Sequence, residues 1–103
     1  MFKIKKTQIR SNASIPFFHE TFTVSEEYRQ HLQATYKNKL LSSNKHLSED
    51  TLSLIHILEW GSRDDFLEYI SDEYCVVNMI EPNQRYNEIA GIQSELEILE
   101  DSE

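Results

Sequence analysis

Cysteine, glycine and proline are scarce in this 103-residue chain, at one, two and two residues. A single cysteine, Cys75, excludes an intrachain disulfide and a cysteine-rich zinc site, and suits a reducing compartment. The two glycines, Gly61 and Gly91, leave no glycine-rich loop to cradle a phosphate and no Gly-x-Ser-x-Gly nucleophile turn. No apolar run approaches the ~20 residues of a membrane span. The charged start "MFKIKKTQIR" has no apolar stretch behind it, as a secretion signal would need. A cytoplasmic location with no membrane partner is expected.

Basic residues are few as well, with Lys+Arg at 10 against Asp+Glu at 18, a formal net charge of -8. Such a chain repels phosphate backbones, so no nucleic-acid partner is expected. The one basic cluster, Lys3, Lys5, Lys6 and Arg10, does not share one strand face and reads as solvated charge on an outer strand. Hydrophobic residues at 39% and aromatics at 11% are enough for a core. One domain over residues 1–103 is expected, with 100–103 a frayed acidic tail.

Patterning then sets the elements. Phe2–Arg10 reads as a strand. Thr23 and Glu26 fit a capping box for a helix from about Ser25 to Lys39, with Tyr28, Leu32, Thr35 and Tyr36 as its inner stripe. Leu40–His46 and Thr51–Trp60 read as a hairpin. Ser62 caps a second helix carrying Phe66, Leu67 and Ile70, and Asp72 caps its continuation, with Tyr74, Val77, Met79 and Ile80 mostly buried. Pro82 fits the first turn of a further helix that Gly91 ends. Ile92–Leu99 alternates, placing Ile92, Leu96 and Ile98 opposite Gln93, Glu95 and Glu97.

The order β-α-β-β-α-β implies an α+β, ferredoxin-like fold: an antiparallel four-stranded sheet with helices on one face. "TLSLIHILEW" (Thr51–Trp60) adds to this. Leu52, Leu54, Leu58 and Trp60 share one face and Ile55 and Ile57 the other, so both faces need cover. A second copy packed sheet to sheet supplies it, giving a homodimer through the open sheet face and a dimeric α/β barrel.

"ILEWGSRDDFLEYIS" (57–71) resembles the third-strand to second-helix junction of the antibiotic-biosynthesis-monooxygenase-like, dimeric α/β-barrel superfamily, matching at Glu59, Trp60, Ser62 and Phe66. The chain also resembles small uncharacterised proteins of marine T4-like phages. The superfamily resemblance implies the fold and dimer above and a range of activities, from cofactor-free oxygenases to haem degradation. The haem-degrading branch uses an Asn in the first strand and a Trp and a His on the second helix. Here the first strand has no Asn, Tyr69 stands at the Trp position, and the His position falls near Met79, so no haem and no other cofactor is expected.

His56 is the site candidate within the long strand. Facing the cavity between the two subunits it could act as a base or orient a ligand; facing the helices it would be a hydrogen-bonded packing residue. Trp60, on the same face, anchors the second helix or contacts a ligand, and Tyr69 could bring its hydroxyl to the same cavity. His19, His31, His46 and His56 lack metal-ligand spacing, and Glu27–His31 fits a surface pair at i, i+4, so no metal is expected. Cys75 reads as a buried, inert thiol. The leading expectation is a small dimeric protein that binds a small molecule or a protein partner without catalysis. The alternative is a cofactor-independent monooxygenase acting on a small aromatic substrate, with His56 and Tyr69 as catalytic groups.

Overall fold

Strand β1 (Phe2–Ile9) lies in the middle of the sheet. The computed structural model describes residues 1–102. After β1 come α1 (Phe18–Thr21), α2 (Glu26–Tyr36), β2 (Leu40–Leu47), β3 (Ser53–Trp60) and α3 (Arg63–Ser71). Then follow α4 (Glu73–Cys75), a π-helical turn (Val76–Ile80), α5 (Glu81–Ala90) and β4 (Gln93–Asp101). The strand order is β2-β3-β1-β4, and every neighbouring pair is antiparallel.

A central β1 overturns the outer-strand reading of its lysines. Lys3 pairs with Glu59 of β3 at 3.5 Å and Lys5 with Glu97 of β4 at 3.7 Å, so acids on both flanks make the position tolerable. Arg10 is buried rather than solvated. Its guanidinium donates to Ile15 O at 2.7 Å and to Thr51 O at 2.6 and 3.0 Å, and lies 4.4 Å from the Phe17 ring centre. Thr51 sits at φ 62, a costly left-handed conformation for a β-branched residue, and Arg10 holds its carbonyl there.

The helix caps follow local chemistry with one shift. Ser25, not Thr23, caps α2, accepting from Tyr28 N at 3.1 Å, because Val24 packs into the core and leaves Ser25 at the helix mouth. Ser62 caps α3 and Asp72 caps α4 as their positions suggested. Pro82 lies in the first turn of α5, and Gly91 ends that helix at φ 71, donating to Asn87 O. The π turn changes the apolar stripe before it. Cys75 is fully buried and Met79 packs against the core, but Val77 is 55% exposed and Tyr74 37%. The wider turn rotates Val77 outward, and Tyr74 stacks on Tyr28 and tilts against His31.

The helices cover the sheet face that carries Phe2, Ile4, Leu54, Leu58 and Trp60. Two separate cores result. The larger joins Phe2, Ile4, Leu58 and Trp60 to Tyr28, Tyr36 and Cys75, with Phe66 and Tyr69 against it. The smaller joins Phe17, Leu54 and Ile92 to Ile15, Tyr86 and Ala90.

The opposite face is mixed. Ile9, Ile55 and Ile57 emerge there, half-buried, beside the two ion pairs and the polar Thr7, Asn44 and Glu95. On β4, Leu96 and Ile98 take the helix side as their alternation indicates, yet remain 56% and 58% exposed because no helix reaches over that edge. The acidic end does not leave the sheet at Glu100: β4 runs to Asp101, which pairs with Arg63, and Ser102 N donates to Met1 O.

Trp60 is 2% exposed and touches the rings of Tyr36, Phe66 and Tyr69. Replacing it by Ala leaves a large cavity in the main core. Trp60→Ala should cost about 3–5 kcal/mol in urea unfolding followed by far-UV circular dichroism.

Candidate functional site: a cleft between sheet and helices

The strand register sets one polar row on the helix-facing side of the sheet. Lys45 of β2 lies opposite His56 of β3, His56 opposite Lys6 of β1, and Lys6 opposite Leu96 of β4. The row on one side is largely apolar, with Leu58, Ile4 and Ile98, and the row on the other sets Leu47 and Leu54 beside Gln8 and Ser94. Neither core includes a member of the polar row. Charged and polar side chains resist helix packing, so the two cores stay apart and a cleft of about 1330 Å³ opens over the row.

His56, Trp60 and Tyr69 all line this cleft. His56 points to the helix side, but open space lies above it, so facing the helices does not make it a packing residue. Its Nε2 is 2.6 Å from Ser43 Oγ. Burial, then the charges of Lys45 and Lys6 and the nearby His19, push its pKa down to about 4. The imidazole is neutral at pH 7. Trp60 forms the floor at one end. Tyr69 tilts against it, with ring centres 5.3 Å apart, and burial raises the pKa of its hydroxyl.

Tyr36 of the α2 inner stripe also lines it, with residues that the sequence did not single out for a site: Lys6 on β1, Met79 in the π turn, and Asn83 and Asn87 on α5. Three buried polar atoms on these walls, Trp60 Nε1, Asn83 Oδ1 and Asn87 Oδ1, have no hydrogen-bond partner. Tyr36 was readable from its helical spacing, and among the others Lys6 carried a signal. It continues the Phe2, Ile4 alternation and so belongs on the core side.

A second cluster lies among the helices. His31, Asp72 and Cys75 place one ligand-type atom each within 4.8 Å of one another, and are the described residues best placed to hold a cation. His31 pairs with Asp72 at 2.7 Å, not with Glu27. Tyr36 Oη donates to the same Asp72 Oδ2 at 2.8 Å, and Tyr74 N to Oδ1 at 2.9 Å. Partial burial opposes ionisation of Asp72, but the hydrogen bonds from His31, Tyr36 and Tyr74 outweigh it and hold the carboxyl well below the usual range. Burial, then the charge of Asp72, pushes the Cys75 thiol up to about 11. A protonated thiol is neither a nucleophile nor a ready ligand. The cluster acts as a brace between α2 and the α3–α4 junction.

No protein-family model matches the sequence. No curated protein matches it either. Solved structures do resemble the fold. One is described as an antibiotic biosynthesis monooxygenase, with 11% identity, all of both chains covered and a TM-score of 0.60. A dimeric ferredoxin-like protein from an uncultured marine organism has 10% identity, covers 99% of this chain and 90% of its own, and has a TM-score of 0.59. The chain has a ferredoxin-like fold. A protein of Agrobacterium tumefaciens, at 19% identity, covers 99% of this chain and 94% of its own with a TM-score of 0.51. At these identities the likeness establishes the fold alone. Among the described residues no helix is long and apolar enough to cross a membrane.

The depressed His56 pKa fixes a sign for acid stability. Native His56 binds its proton at about pH 4, against an ordinary value of 6.5 in the unfolded chain. Between these values the unfolded chain binds more protons, so stability falls as pH drops from 6.5 towards 4. His56→Gln should flatten urea-unfolding midpoints across that window. The loss tied to Asp72 lies at lower pH and should persist.

Proposed function

We propose that this protein binds a small, partly aromatic molecule in the cleft between sheet and helices, and does so as a homodimer. The observation that carries the reading is the coincidence of a roomy cleft, aromatic walls at Tyr36, Trp60, Phe66 and Tyr69, and unpaired polar atoms on Trp60, Asn83 and Asn87. Pockets of that make-up, apolar with a few convergent polar groups, are the usual form of small-molecule sites. Binding without chemistry is preferred because no activated nucleophile lines the cleft and His56, at a pKa of about 4, is a weak base at neutral pH.

An oxygenase reading has one observation in its favour. A neutral imidazole sits inside the cleft, able to accept a proton from an acidic phenol bound beside Ser43. The monooxygenase description of one structural relative adds to that alternative. Oxygen uptake with a hydroquinone probe, abolished in His56→Ala, would promote it over binding.

Dimerisation is supported by the half-buried Ile9, Ile55 and Ile57 on the open sheet face and by the dimeric description of a structural relative. Burying three neighbouring isoleucines is favourable by roughly 1.5–3 kcal/mol per fully buried side chain. Light scattering at micromolar concentration should give twice the chain mass, and Ile57→Lys should return one chain mass with unchanged circular dichroism. A single chain mass in the wild type would rule the dimer out.

The ligand reading is checked separately. Naphthamide, a flat neutral probe, should shift the amide resonances of Trp60, Tyr69 and Met79 and leave those of Ile55 and Ile57 unmoved. Shifts confined to the open face, or none, would count against the cleft.

A further inference from the structure

Lys6 differs from the other lysines of its strand. Lys3 and Lys5 point to the open face and each meets a glutamate. Lys6 points to the helix side, lines the cleft, and has no hydrogen-bond or ion-pair partner among the described residues. Its cross-strand neighbour is His56, and beyond that Lys45, so it faces positive and neutral groups across the sheet. Glu88 on α5, an acid of the cleft lining, forms no ion pair with it, and Glu95 of β4 stands opposite Thr7 on the open face.

We propose that the cleft selects a ligand whose aromatic body carries a carboxylate or similarly small anionic group, with the anion seated on Lys6. This rests on the ligand-binding reading above and specifies its chemistry. A cation withdrawn from water without a partner costs free energy, and an incoming anion recovers that cost where a neutral ligand cannot. The row adds to the effect, because Lys45 carries charge one strand further on and His56 can gain a proton once an anion offsets the lysines. Burial and Lys45 together lower the Lys6 pKa, the direction expected of a cation lacking a counter-charge. Trp60 supplies an unpaired N–H on the same wall, a donor suited to a second acceptor atom of the ligand. The aromatic walls take the rest. The overall charge of -8 makes this local positive site stand out, since nothing in the chain's bulk composition favours anions.

The test uses naphthoate and its neutral isostere naphthamide in calorimetric titrations of the wild type, Lys6→Met and Lys6→Arg. Naphthoate should bind the wild type about tenfold more tightly than naphthamide or better. Lys6→Met keeps the side-chain length and removes a partly buried charge that Lys45 repels, so it should fold at least as well. It should bring the ratio close to one. Lys6→Arg should retain the preference. Equal affinities in the wild type, or an undiminished preference in Lys6→Met, would overturn anion selection and leave the cleft reading standing. If neither probe binds at millimolar concentration, the cleft reading fails along with it.

Discussion

Lys45, His56 and Lys6 stand side by side on the side of the sheet that faces the helices. Packing a helix onto that row would strip water from two ammonium groups and an imidazole, and neighbouring charges of one sign would repel as they lost it. The helices instead pack to either side. α2 and α3 close over Trp60, Leu58, Ile4 and Phe2, while Ile15 and Phe17, just ahead of α1, and Tyr86 and Ala90 of α5 close over Leu54 and Ile92. The two cores, the cleft between them and the low pKa of His56 all follow from the same refusal of one row to be buried.

Two tethers keep the divided core from coming apart. Asp72 collects hydrogen bonds from His31 and Tyr36 on α2 while capping α4, which ties the helical layer to itself. Arg10 performs the matching task at the other end, reaching Ile15 and Thr51 and lying over Phe17. Both are charged groups whose burial is tolerable because nearly every polar atom finds a partner within the protein. Lys6 is the contrast, a charged group in a comparable position with none.

Alternation in "TLSLIHILEW" was enough to place Leu54, His56, Leu58 and Trp60 on one face and Ile55 and Ile57 on the other, and to assemble the ferredoxin-like order of elements. Local cap chemistry at Ser62, Asp72 and Gly91 was equally legible. What lay beyond reach was the company each residue keeps. Strand order made β1 central and handed Lys3 and Lys5 their glutamates. The His31–Asp72 contact joins residues 41 apart, and no spacing rule connects them. The choice once posed for His56, between helices and packing or partner subunit and chemistry, dissolved for a similar reason. A strand pattern tells which way a side chain points, but not whether the space it points into is filled.

The uncovered edge at β4 carries Leu96, Ile98 and Leu99, all exposed, on a strand with one side free of hydrogen-bonded neighbours. Such an edge invites another strand to add on, and Glu95, Glu97 and Glu100 set like charges along it that keep two such edges apart. A second copy of the chain brought edge to edge would set these acids against one another, so the acids tell against sheet extension by the protein's own β4, and only a strand of different sequence, basic or neutral at the facing positions, would meet the edge without that repulsion.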